Sequence, residues 1–152
     1  MELTFRPATI DDLSEIVRML ADDFLGRIRE RYEEPLPESY VNAFREIEAD
    51  PNNELIVVEA DGQVVGTLQL TFTPSISFQG GKRATVESVR VDEQHRGKGI
   101  GRKMMLWAID HARANGCVSM QLTTNAERVD AHRFYENLGF SGTHLGMKIK
   151  LK

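Results

Sequence analysis

The chain has 152 residues, 41% hydrophobic and 28% charged, with a formal net charge of −4 and a pI near 5.6. The length suits one domain of ~100–150 residues, taken as 1–152, and the acidic balance argues against nucleic acid as a partner. The single cysteine, Cys117, excludes an internal disulfide and a cysteine zinc cluster and suits a reducing cytosol. No stretch reaches the ~20 apolar residues of a membrane span, and the first twelve residues lack the apolar centre of a signal peptide, so a cytoplasmic chain without a membrane partner is expected.

In chain order, LTFRP alternates and reads as a strand ending at Pro7. Thr9 is a candidate cap for a helix with Asp11 and Asp12 in its first turn and Leu13, Ile16, Val17 and Leu20 on one face. Residues 22–38 are dense in charge and broken by Gly26, Pro35 and Pro37, so they read as a loop. A second helix follows over 38–49. Residues 54–60 and 63–72 read as a hairpin about Asp61-Gly62. A connection over 73–81 leads to an alternating strand over 82–91. A helix over 99–115, a strand from Cys117, a short helix over 130–138 stopped by Gly139, and a final strand over 140–151 complete the chain. The order β-α-α-β-β-β-α-β-α-β predicts an α/β chain with a mixed sheet and helices on its faces.

The stretch QHRGKGIGRK (94–103) sets Gly97, Gly99 and Gly101 on alternate positions among Arg96, Lys98, Arg102 and Lys103. It lies where a strand turns into a helix. The first amides of a helix have no partner within it, and its dipole adds partial positive charge. Glycine allows a tight turn and a close approach, so the segment reads as a pyrophosphate cradle. It is neither a P-loop, since Arg102 and Lys103 follow Gly101, nor the dinucleotide pattern G-x-G-x-x-G.

The pattern that fits is [Q/R]-x-x-G-x-[G/A]. Here ESVRVDEQHRGKGIGRKMM (87–105) resembles the central motif of the GNAT superfamily of N-acetyltransferases. AHRFYENLGF (131–140) is similar to their late FYxxLGF segment, and LTFRPATIDDLSEI to their opening strand and helix. The resemblance implies the GNAT-like acyl-CoA N-acyltransferase fold: a mixed, mostly antiparallel sheet flanked by helices, with a parallel strand pair, 82–91 and 117–123, that splays apart to admit acetyl-coenzyme A.

Carried over residue by residue, the resemblance implies pantetheine and acetyl contacts to the main chain of Val89, Arg90 and Val91. It places the pyrophosphate on amides of Arg96, Gly97, Lys98, Gly99, Ile100, Gly101 and Arg102. An amide near Val91 would stabilise the developing oxyanion. Asn125 matches an asparagine that touches the cofactor arm, and is equally a turn residue. Tyr135 matches the tyrosine facing the coenzyme sulfur, with Phe134 as core or wall. An amine acceptor must lose a proton, because at pKa ~10.4 almost all of it is charged at neutral pH. Glu87 is the candidate base, placed by alternation on the same face as Val89 and Val91; a cross-strand ion pair is its plainer role. In the family, segments equivalent to 24–40 and 73–81 shape the acceptor site, which nominates Phe24, Tyr32 and Phe78.

The reaction expected is direct transfer of acetyl from acetyl-coenzyme A to a primary amine of a small molecule or peptide, in a ternary complex. No metal is implied, since His95, His111, His132 and His144 lack ligand spacing. A homodimer is expected from the resemblance. Two other readings stay open: a domain that binds acyl-coenzyme A as a sensor without turnover, and an unrelated nucleotide-binding module.

Overall fold

The computed structural model describes residues 1–152. Strand β1 (Thr4–Pro7) leads through a short 3-10 turn into helix α1 (Leu13–Leu20). One-turn α2 (Gly26–Arg29) and α3 (Glu38–Ala49) precede the hairpin β2 (Asn53–Ala60) and β3 (Gln63–Thr73). A turn, α4 (Ser77–Gly80), joins β3 to β4 (Lys82–Val91); Phe78 and Gln79 are left-handed within it, at φ 52° and 58°. Then come α5 (Ile100–Ala114), β5 (Cys117–Gln121) and α6 (Val129–Asn137).

The five strands lie in sequence order in one sheet. The first three pairings are antiparallel and β4–β5 is parallel. This is the mixed, mostly antiparallel sheet expected. Helix α5 covers one face, where Ile100, Met104, Met105 and Ala108 pack on Ile56, Val58, Leu68, Leu70, Ala84 and Val86. The other face carries α1 and α3, whose Leu13, Val17 and Phe44 close over Leu55. With both faces covered, β2 reads Leu-Ile-Val-Val rather than alternating. Gly66 is set by close approach, since a Cβ there would lie 2.7 Å from Met104 Sδ. Asp12 accepts the Thr9 amide at 2.7 Å and is held by Arg6, which also reaches Glu59, so the chain entry is fastened to β2.

No helix is long and apolar enough to cross a membrane. Three expectations are corrected. Within 22–38 the chain makes one helical turn that begins at Gly26, rather than a loop throughout. The strand from Cys117 ends at Gln121 instead of continuing to Thr123. Residues 140–151 form no strand: the sheet has five strands, and from Ser141 onward the side chains are exposed. Alternation specifies the two faces of a strand but not a partner for its backbone, and the residues after Phe140 pair with no strand.

Candidate active site

The site begins where two strands part. Pairing of β4 with β5 runs only from Lys82↔Cys117 to Thr85↔Gln121. From Val86 onward, β4 keeps β3 on one side and has no strand on the other. Asp92 donates its amide to Val65 at 2.8 Å. In antiparallel alternation Val91, opposite Gly66, therefore turns its N–H and C=O away from β3 and into the gap. Its carbonyl there accepts a bond from Arg96 Nε at 3.3 Å.

A β-bulge shifts the faces of β4. The register with β3 slips between Thr67 and Gln69, and Ser88 is left-handed at φ 54°. Two residues of β4 thus stand against one of β3. Val89 and Val91 pack with the α5-side core together with Ala84 and Val86, whereas Glu87 lies on the opposite face with Thr85. The expectation that Glu87 shares a face with the valines is therefore corrected. Strict alternation fails across the extra residue. The Glu87 carboxylate is exposed, and no side chain of the protein bonds to it; the cross-strand ion pair is absent.

Beyond β4, a 3-10 turn over Glu93–His95 leads into the glycine loop. Gly97 and Gly99 are both left-handed at φ 78°, and a Cβ on either would meet nothing within 4 Å. The amides of residues 97–102 donate to no backbone carbonyl, and the first that does is Lys103, to Gly99 at 3.2 Å. A row of free donors thus faces open space at the N-terminus of a fifteen-residue helix, which is the donor set an anionic diphosphate requires. The cleft in front measures about 250 Å³ and is lined by Val91, His95, Arg96, Gly97, Gly99, Ile100, Gly101, Arg102 and Phe134. Six of the seven residues nominated for the pyrophosphate line it together with Val91; Lys98 does not.

Ion pairs brace the mouth of the gap. Buried Asp92 accepts from Arg18 of α1 at 2.7 Å and faces His95 Nδ1 at 2.9 Å. Burial pushes its carboxyl up, but His95 and Arg18 more than offset this and hold it below the usual carboxylate range. After α1, Asp22 pairs with Arg96 at 3.4 Å, and Asp23 pairs with Arg128 ahead of α6. Arg90 stands behind, its Nη2 at 3.9 Å from Asp23 and its buried Nε without an acceptor. Burial, then the neighbouring Arg128, lower its pKa. Charge here is uneven, with two guanidiniums against one carboxylate.

Tyr135 sits on α6, edge-on to Phe134 at 5.1 Å and to Phe140 at 5.8 Å. Burial raises its pKa while Arg90 and Arg128 pull it down; the net is upward, so the phenol keeps its proton at neutral pH. Asn125 Oδ1 accepts the Glu127 amide at 2.9 Å, so its side chain closes a turn. Phe24 adjoins the Asp23 cluster and is exposed, as is Tyr32. Phe78 is not brought to the site. It lies beyond the start of β4 beside Gly81 and Val118, about 30 Å of strand from Val91. Asp23 and Arg128 carried no signal in the sequence, because they pair across about a hundred residues; Asp92 has His95 three residues on, but its charged partner Arg18 lies far back in the chain.

A strand pair that opens before a glycine loop at a helix N-terminus defines an anion-binding fold. The model of the acetyltransferase (GNAT) family matches residues 15–140, and the chain belongs to that family. It is 32% identical over 95 residues to the aminoalkylphosphonate N-acetyltransferase of Salmonella typhimurium, a match covering 62% of this chain and 61% of that one. It thus spans about three fifths of that relative's length. It is 28% identical over 113 residues to the glucosamine 6-phosphate N-acetyltransferase of Arabidopsis thaliana, covering 72% and 74%. The crystal structure of a transcriptional regulator from Bacillus halodurans C-125 superposes with a TM-score of 0.95 at 54% identity, over 99% of this chain and 100% of that one. The family is one of acetyltransferases.

Proposed function

We propose that the chain transfers the acetyl group of acetyl-coenzyme A directly to a primary amine, both substrates being bound at once. The carrying observation is the row of unpartnered amides at residues 97–102, continuous with the gap where β4 loses β5. Acetyl-coenzyme A supplies a thioester carbonyl open to attack. The loop amides hold its diphosphate, and Val89 and Val91 offer backbone groups to its arm. The Val91 amide, turned into the gap, stabilises negative charge developing on the thioester oxygen. Glu87, on the α1 side of β4, takes the proton of the attacking amine directly or through water. Tyr135 returns a proton to the departing sulfur, and its burial keeps it in the donor form.

Near Tyr135 the local charge is positive, although the net charge is −4. Arg90 and Arg128 outnumber Asp23 there. We infer an acceptor whose amine is accompanied by an anionic group, a carboxylate, phosphate or phosphonate. The names of the Salmonella and Arabidopsis relatives carry a phosphonate and a phosphate.

The test is release of free thiol from acetyl-coenzyme A by the purified chain, across neutral amines, amino acids, aminoalkylphosphonates, amino-sugar phosphates and peptides. Turnover concentrated in the anionic amines is expected. Turnover with neutral amines alone removes the anionic acceptor. No turnover with any amine removes the catalytic reading.

A further inference from the structure

Helices α1 and α3 do not close completely over the sheet. Between them runs a groove of about 140 Å³. Ile16, Val17 and Leu20 of α1 and Ala43, Phe44 and Ile47 of α3 wall it. Leu55, Thr67 and Gln69 form its floor, and Ser88 its end on β4. The inner walls are buried, Val17 at 1% and Phe44 at 3% exposure, while Ala43 and Ser88 at the rim are open to solvent.

The polar groups around it are already engaged. The Thr67 hydroxyl donates to Ile56 O at 2.9 Å, and Gln69 Nε2 donates to Asn53 Oδ1 at 2.9 Å. Tyr40 adds its ring to the wall, while its hydroxyl donates to Glu30 and accepts the Arg31 amide. Water in such a groove finds few partners, so an apolar group displaces it favourably. An apolar cavity of ~150 Å³ holds a benzene ring, and this one takes a ring or a branched alkyl chain of similar bulk.

The groove leads to the groups that the proposed reaction uses. In the register of β3 with β4, Gln69 stands opposite Glu87 and Thr67 opposite Arg90. Cross-strand partners share a face, so the floor runs on to the Glu87 carboxylate and the Arg90 guanidinium. An amine at Glu87, with its anionic group toward Arg90 and Arg128, would direct a third substituent back along that floor, between the helices.

We propose that the groove holds an apolar side chain of the acceptor. The acceptor class is then a primary amine that carries an anionic group and an apolar group of leucine or phenylalanine size, with apolar α-amino acids as its simplest members. This rests on the acetyl-transfer reading and adds to it the size and chemistry of the third substituent. Leu20 and Ala43 limit that size.

The test follows thiol release from acetyl-coenzyme A with glycine, valine, leucine and phenylalanine. From glycine to leucine kcat/KM should rise about 10- to 100-fold, the scale of burying one such side chain. Methylamine and phenethylamine make the same comparison without a carboxylate, so a failed anionic site is told apart from a failed groove. Ala43→Phe, which fills the groove from its rim, should remove most of the rise. Leu20→Ala, which widens it, should shift the preference from leucine toward phenylalanine. Methyl NMR of the full-length chain with coenzyme A and phenylalanine reads the groove without turnover. Signals of Ile16, Val17, Leu20, Ile47 and Leu55 should move to saturation, and that of Leu106 on the outer side of α5 should not. Absence of turnover with every amine, alongside these shifts, would remove the transfer reading and uphold the groove. A rate indifferent to apolar size, groove methyls that stay in place, or a preference that survives Ala43→Phe would each overturn the proposal.

Discussion

Thr85 and Gln121 are the last partners of β4 and β5, and Gln121 Nε2 still reaches Thr85 Oγ1 at 3.4 Å. Past this pair the two strands separate, and the free side of β4, the glycine loop and the N-terminus of α5 face one continuous opening. The bulge at Ser88 divides the chemistry across it. Val89 and Val91 belong to the α5 side, whereas Glu87 belongs to the α1 side.

Gly99→Glu should abolish binding of acetyl-coenzyme A and leave the domain folded. The side chain would project into open space, so it meets no clash; holding a non-glycine residue at φ 78° costs roughly 1–2 kcal/mol. Its carboxylate would stand among the amides meant for an anion. Calorimetric titration together with circular dichroism checks both halves.

Tyr135→Phe should lower kcat about 10²-fold or more, the scale of a lost general acid, with the KM for acetyl-coenzyme A nearly unchanged. Burial raises the phenol's pKa, so the donor form persists through neutral pH and is lost only as pH rises above the ordinary phenol range. Steady-state kinetics against pH should therefore show an alkaline fall in the wild type that the phenylalanine variant lacks.

Glu87→Gln should lower kcat/KM for the amine by about 10²-fold at neutral pH if the carboxylate takes the proton. The deficit should shrink as pH approaches the amine's own ~10.4, where the free base no longer needs help. An unchanged rate at neutral pH would leave deprotonation to water.

Much of this was legible in the sequence because local rules set it. The φ demanded of Gly97 and Gly99, the amphipathic faces of α1 and α5, and the Asp61-Gly62 hairpin all follow from neighbouring residues. The face of Glu87 was misread because a bulge changes parity without changing composition. The Asp23–Arg128 and Arg18–Asp92 pairs join positions about a hundred and about seventy residues apart, which no window of sequence covers. The final strand expected over 140–151 does not form, because an extended-looking pattern specifies side-chain faces and not a backbone partner.

Arg18→Ala should destabilise the fold by about 1–3 kcal/mol, the cost of leaving buried Asp92 short of a charged partner. The carboxyls of Asp92 and Asp12 are both held below their ordinary value, Asp12 chiefly by its bond from Arg6. A carboxyl depressed in the folded state binds fewer protons there than in the unfolded chain. Its contribution is therefore complete above the unfolded value of ~3.9 and lost as pH falls through the folded one. Denaturant melts should show stability level at mildly acidic pH and dropping below about pH 4, with a smaller drop in Arg18→Ala.

The most direct test is calorimetric titration of the purified chain with acetyl-coenzyme A, with ATP and NAD as controls. Saturable binding of acetyl-coenzyme A alone, one molecule per chain, is the expected result. A folded sample, free of co-purified ligand, that binds none of it, or binds ATP equally well, would contradict the assignment of residues 96–102 as its diphosphate site.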